Sequence, residues 1–188
     1  MIEIQVLIER TGRQIEKKFC VSDWLMHINS NPESRYVNID DRLDVFELIN
    51  NNDFSGKHLQ LLFLIKHNQE YILGYNVPSG YNLWSDFLNV AEDYANYGRS
   101  KRSYGADPLM MEIRSVGKEE LNFSIYYELD RSKKYIDVML PSQEFMISLA
   151  SSLRDFLVKM IHEYKIDIGD EGTIMRVENL IKRFDKEI

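Results

Sequence analysis

The run Leu59–Ile65, broken only by Gln60, is the segment that most restricts the fold. A near-continuous apolar stretch of that length fits a central strand covered on both faces, so packed layers must lie on either side of it. Tyr71 to Val77 follows a short polar turn and reads as its hairpin partner. The N-terminus alternates instead. Ile2, Ile4, Val6 and Ile8 share one face, with Glu3, Gln5 and Glu9 on the other, as a half-buried strand requires. Arg10-Thr11-Gly12-Arg13 then supplies a turn, and Ile15, Phe19 and Val21 read as a second strand that completes a hairpin. That register puts Cys20 on or beside an apolar-facing position.

Segments 22–58 hold a possible short helix or strand at Trp24, Leu25 and Ile28, then a loop at Asn29-Ser30-Asn31-Pro32. Asp40 or Asp41 suits the cap of a short helix with Leu43, Phe46 and Ile49 turned inward, and Asn50 to Gly56 reads as its exit loop. Helical spacing is clear over 82–97, where Trp84, Phe87, Leu88, Ala91, Tyr94 and Ala95 recur at three and four residues. Asn82 stands at its start and Gly98 where a helix-ending glycine belongs. Three strands in meander order follow, at 109–116, 121–129 and 135–140. A long helix over 143–165 carries Phe145, Leu149, Leu153, Phe156, Leu157, Met160, Ile161 and Tyr164 in one stripe. A last helix over 173–186 carries Ile174, Val177, Ile181 and Phe184. The expectation is a single α+β domain, mostly antiparallel sheet, built from an N-terminal hairpin, a central hairpin and a C-terminal three-strand meander. Glycine and proline do not cluster, and 188 residues are enough for one substantial core.

Catalytic and cofactor motifs are absent from the sequence. His27, His58, His67 and His162 have no paired ligand spacing, and a single cysteine makes neither a disulfide nor a cysteine zinc site. Asp40-Asp41-x-x-Asp44 has the DDxxD spacing of a Mg²⁺-diphosphate motif. It also lies where acids collect at a helix start, which is the reading favoured here. There is no GxSxG elbow and no glycine-rich phosphate loop. Asn122-Phe123-Ser124 matches a glycosylation sequon, but it falls inside an expected strand of a chain expected to have no leader, so it is not read as a glycosylation site. The expectation is a cytoplasmic protein with no metal, no cofactor, no membrane span and no direct nucleic-acid contact, since the net charge is −7.

Charge and tyrosine concentrate together. Residues 40–97 hold nine acids against Arg42, Lys57 and Lys66, and six of the eleven tyrosines lie between 71 and 104. Asp86 and Asp93 fall on one face of helix 82–97, and Tyr97 stands one turn further on that face. With Glu92, Tyr94 and Arg99 they form a candidate protein-binding surface, an aromatic anchor with a charged rim. Arg99, Lys101 and Arg102 sit just past the helix end in an expected loop. Cations there favour the helix dipole, or else receive a phosphate or an acidic partner.

The hairpin opening, Leu83-Trp84-Ser85-Asp86-Phe87 with Glu92-Asp93-Tyr94, and Leu140-Pro141-Ser142-Gln143-Glu144-Phe145 before a long helix give a layout that resembles small immunity proteins of bacterial polymorphic and contact-dependent toxin systems. The resemblance implies a non-enzymatic antitoxin that binds a toxin domain, often a basic nuclease. Two alternatives stand beside it: a small-ligand binder or enzyme with a pocket between helix 82–97 and the sheet, and a structural protein that self-associates through a sheet edge or the long helix.

Overall fold

The structure, a computed structural model, describes residues 1–50, 59–105 and 108–185. It is α+β, with six α-helices and two antiparallel sheets among the described residues. The first sheet has strand order β2 (Tyr36–Asn38), β1 (Ile2–Glu9), β3 (Gln60–His67), β4 (Glu70–Leu73), with β5 (Gly80–Tyr81) also on β3. The second has order β6 (Arg99–Ser103), β7 (Leu109–Val116), β8 (Glu120–Tyr127), β9 (Asp130–Pro141). The helices are α1 (Gly12–Phe19), α2 (Trp24–Ser30), α3 (Arg42–Ile49), α4 (Leu83–Tyr97), α5 (Ser142–Val158) and α6 (Glu171–Asp185).

β3 is central and covered on both faces, as its apolar run requires. Leu61, Phe63 and Ile65 enter the main core, while Leu62 and Leu64 pack on the other face with Leu7, Tyr36 and Tyr75. The main core is continuous from the first sheet through α4, α5 and α6 to Met111, Ile113, Phe123 and Ile125 of the second sheet. The segment just after β6 also meets β5 at backbone level. A Cβ on Gly105, whose φ is +69, would lie 2.5 Å from the Cα of Gly80, so this contact needs two residues without side chains.

The N-terminal hairpin does not form. Residues 12–19 are helix α1, started by a capping box. Thr11 Oγ1 accepts from the Gln14 N–H (3.3 Å), and Gln14 Oε1 accepts from the Thr11 N–H (2.7 Å). Ile15 and Phe19 are four apart and suit one helix face as well as their spacing suits a strand. Ile15 is buried and Phe19 half-exposed. Cys20, expected on an apolar face, is exposed at the helix end with φ 53.

Other expectations are corrected in the same region. Asn29 and Ser30 belong to α2, and Pro32 opens a 3-10 turn, Pro32–Arg35. Asp41 caps α3, but Leu43 points to solvent, and Val45 and Leu48 carry the burial. The proposed exit loop after Asn50, like His58, lies outside the described residues.

The meander has four strands rather than three. The expected loop after α4 is the edge strand β6, which pairs with β7 from Arg99↔Arg114 to Ser103↔Met110. Gly98, with φ +67, ends α4 and turns the chain into β6.

α5 is the hub. Phe145, Leu149, Leu153, Phe156 and Leu157 are fully buried. Beyond Val158 the helix widens into a π turn, Lys159–Glu163, and the Tyr164 N–H donates to the Lys159 carbonyl (2.8 Å). Tyr164 then donates to the Ile39 carbonyl (2.9 Å) and packs edge-on against Phe46. A regular helix to residue 165 would rotate Tyr164 away from both.

The polar side of α5 has a second task. β1 is paired with β2 only over Leu7–Glu9, which leaves its first half without a strand on that side. Glu144, Ser148 and Ser152 fill the gap at intervals of four. Glu144 Oε1 accepts from the Ile2 N–H (2.7 Å), Ser148 Oγ donates to the Ile2 carbonyl (3.1 Å), and Ser152 Oγ donates to the Ile4 carbonyl (2.7 Å). From Ser148 to Ser152 the helix rises about 6 Å and from Ile2 to Ile4 the strand rises about 6.7 Å, so these two bonds stay in step, while the longer Glu144 side chain reaches the Ile2 N–H. Ser148→Ala and Ser152→Ala should each cost about 1 kcal/mol in urea melts, against about 3–5 kcal/mol for Phe156→Ala. A double serine variant as stable as the parent would show that water serves this edge equally well.

Candidate functional site

The expected site gathers on α4, and packing divides it. Asp86 and Asp93 do share a helix face, and that face is covered. Asp86 Oδ2 accepts from the Gly105 N–H (3.1 Å). Asp93 Oδ2 accepts from Ser100 Oγ (2.9 Å) and Arg102 Nε (2.9 Å) on β6. Glu92 lies on the opposite flank, where Arg176 of α6 grips it through Nε (2.8 Å) and Nη2 (2.6 Å). One helical period of two turns later, Arg183 reaches Asn96 Oδ1 (2.8 Å) and the Ala95 carbonyl. The three carboxylates therefore fasten α4 to its neighbours on two sides.

The aromatic members also separate. Tyr94 is buried, stacks against Phe184 and lies 3.2 Å from Ser115 Oγ through its hydroxyl. Tyr104 is buried in the core, and burial pushes its hydroxyl pKa up. Tyr97 is 74 % exposed on the last turn of α4. It lines a broad open groove with Asp93, Arg99, Ser100, Lys101 and Glu112. Of the six residues expected at the site, Asp93, Tyr97 and Arg99 meet in this groove, and Asp86, Glu92 and Tyr94 do not.

Beyond the groove lies the outer face of the second sheet, which sequence reasoning missed. Arg114, Tyr126, Arg131, Lys134 and Asp137 line a second hollow that shares Glu112 with the first. Tyr126 donates to Glu112 Oε2 (2.7 Å); burial and this bond push its hydroxyl pKa up to about 12. Lys101 Nζ and Arg131 Cζ stand 6.0 Å and 5.4 Å from its ring centroid. The available signal was the period-two spacing of Glu112 and Arg114, and of Asn122, Ser124 and Tyr126, which marks one polar face across two neighbouring strands.

The DDxxD acids do not converge. Asp41 caps α3 by accepting from the Asp44 N–H (3.2 Å), Asp40 pairs with Lys159, and Asp44 pairs with Arg10 and with Lys18 (2.5 Å). Among the described residues no group of three His, Cys, Asp or Glu side chains is placed to hold a metal ion. No described helix is long and apolar enough to cross a membrane. No protein-family model, curated protein or solved structure matches the chain.

Burial raises the Asp86 carboxyl pKa above its ordinary value, against the opposing pull of the Gly105 N–H and Arg102. A raised carboxyl pKa means that the fold holds the ionised form less well than the unfolded chain does. The cost is fully present above the folded pKa and vanishes below the unfolded one, near 3.9 by the usual ~3.9 for Asp. Asp86→Asn keeps an oxygen for the Gly105 N–H. It should melt at the same or a higher temperature than the parent at pH 7, with the difference gone below about pH 3.5. A variant that is less stable at pH 7 would show that attraction to Arg102 outweighs burial.

Proposed function

We propose that this chain is a non-enzymatic protein-binding module of the immunity type, which neutralises a toxin domain through the groove at the end of α4. The observation that supports this reading most directly is Tyr97, a large aromatic 74 % exposed on the last turn of α4. It is flanked in the groove by Asp93, Arg99 and Lys101. Tyrosine gives large contact area at low entropy cost, and an aromatic inside a charged rim is the usual composition of an interface hot spot. The partner class, a toxin domain, comes from the resemblance to immunity proteins. A strongly basic toxin surface gains little from Asp86, Glu92 and Asp93, because their hydrogen bonds and ion pairs are already made inside the fold.

The chain, used as bait on extracts of its own source cells, should capture a protein that arrests growth when expressed alone and is tolerated when co-expressed with the chain. With that protein purified, Tyr97→Ala should weaken binding by about 30-fold, from a hot-spot loss of about 2 kcal/mol, without moving the melting temperature. Equal binding by Tyr97→Ala would remove the groove from the interface. A captured protein whose expression is harmless would remove the immunity reading.

A further inference from the structure

The outer face of the second sheet carries more positive charge than the fold uses. Arg99, Lys101, Arg114, Arg131 and Lys134 lie on it, beside three carboxylates in the two hollows, Glu112 and Asp137 of the sheet and Asp93 of α4. All three are already engaged: Glu112 accepts from Tyr126, Asp137 accepts from Asn122 (3.0 Å) and Lys134 (2.5 Å), and Asp93 accepts from Ser100 and Arg102. Arg99, Lys101, Arg114 and Arg131 form no ion pair with any described residue.

Two of these cations are placed against their own interest. Arg99 and Arg114 are direct cross-strand partners, both exposed. Like charges directly opposite each other destabilise a sheet. Positive charge on an edge strand is a common guard against aggregation, which accounts for Arg99 and Lys101 on β6. It does not account for Arg114, because β7 is an interior strand, hydrogen-bonded to β6 and β8.

We infer that this face docks a carboxylate-rich surface of a protein partner, with Arg99 and Arg114 as the paired receptors. The inference rests on the protein-binding reading and supplies the partner's chemistry at that site. A protein surface fits better than a nucleic-acid backbone for three reasons. The chain as a whole carries −7 and repels a long polyanion. Glu112 and Asp137 lie among the cations, where a continuous row of phosphates would meet them. Tyr126, the aromatic at the centre of the face, is 3 % exposed and offers no free ring for a base to stack on. Lys101 and Arg131, which flank the receptors, stand over that ring, so they lose less side-chain freedom when a carboxylate arrives.

The test is an amide chemical-shift titration of the full chain with three probes at low salt: a 15-residue peptide alternating Glu and Ser, its Lys–Ser counterpart, and a 15-nucleotide dT strand. The Glu–Ser peptide should shift amides of β6 to β9 on this face, and Arg99→Glu/Arg114→Glu should weaken that binding at least tenfold. Arg99→Ala/Arg114→Ala should weaken it less and melt no lower than the parent, since a like-charge contact is removed. The inference is overturned if the dT strand binds more tightly than the Glu–Ser peptide, if the Lys–Ser peptide shifts the same amides equally, or if no probe moves them. The binding-module reading fails separately. If the captured partner binds the Arg99→Glu/Arg114→Glu chain as well as it binds the parent while Tyr97→Ala loses it, the module stands and this face falls. If the Glu–Ser peptide binds as expected and no partner is captured, the carboxylate preference of this face stands and the immunity reading falls.

Discussion

The interaction on which this architecture depends is the ladder between α5 and the open half of β1. An unpaired strand edge inside a protein leaves carbonyl and amide groups that must find partners, and each one left bare costs as much as a lost hydrogen bond. Glu144, Ser148 and Ser152 satisfy Ile2 and Ile4 from a helix whose other side fills the core. One helix thus completes the first sheet with its polar flank and joins both sheets with its apolar one. A strand in this place would have closed the edge but could not have presented Phe145, Leu149, Leu153 and Phe156 to the core in one stripe.

That arrangement governs the surface. With α5 seated along β1, α4 packs between the core, β6 and α6, and its charged residues point at neighbours rather than at solvent. Arg176 on α6 and Arg102 on β6 take Glu92 and Asp93 from opposite sides. What reaches the surface is the end of the helix, at Tyr97, and the sheet face beyond it. The acidic character of the N-terminal half and the cationic face of the second sheet are therefore distinct features of one molecule. On the cationic face Arg99, Lys101, Arg114 and Arg131 have no ion-pair partner among the described residues.

Much of the fold was legible from periodicity. β1, β3, α4, β7, β8, α5 and α6 each carry an apolar pattern long enough to distinguish a period of two from one of 3.6. Failures fell where the pattern was short. Ile15, Phe19 and Val21 satisfy both periods in part, and the capping box at Thr11 and Gln14 decided for helix. Arg99–Ser103 has only polar side chains and forms a strand because β7 offers it a hydrogen-bonding edge. The candidate site was legible to the extent of a shared face for Asp86 and Asp93 with Tyr97 one turn further on. What covered that face was not.

The sequence by itself determined the long elements and the apolar stripe of each, because the period of a stripe is a local property of spacing. It also determined that Asp86 and Asp93 lie on the same side of one helix. Only the tertiary structure decided what those carboxylates do, because a hydrogen bond such as Arg176 to Glu92 joins residues 84 positions apart and depends on how α6 lies against α4. The same holds for Arg99 and Arg114. Each is an ordinary surface cation in the sequence, and their opposition exists only in the register of β6 on β7.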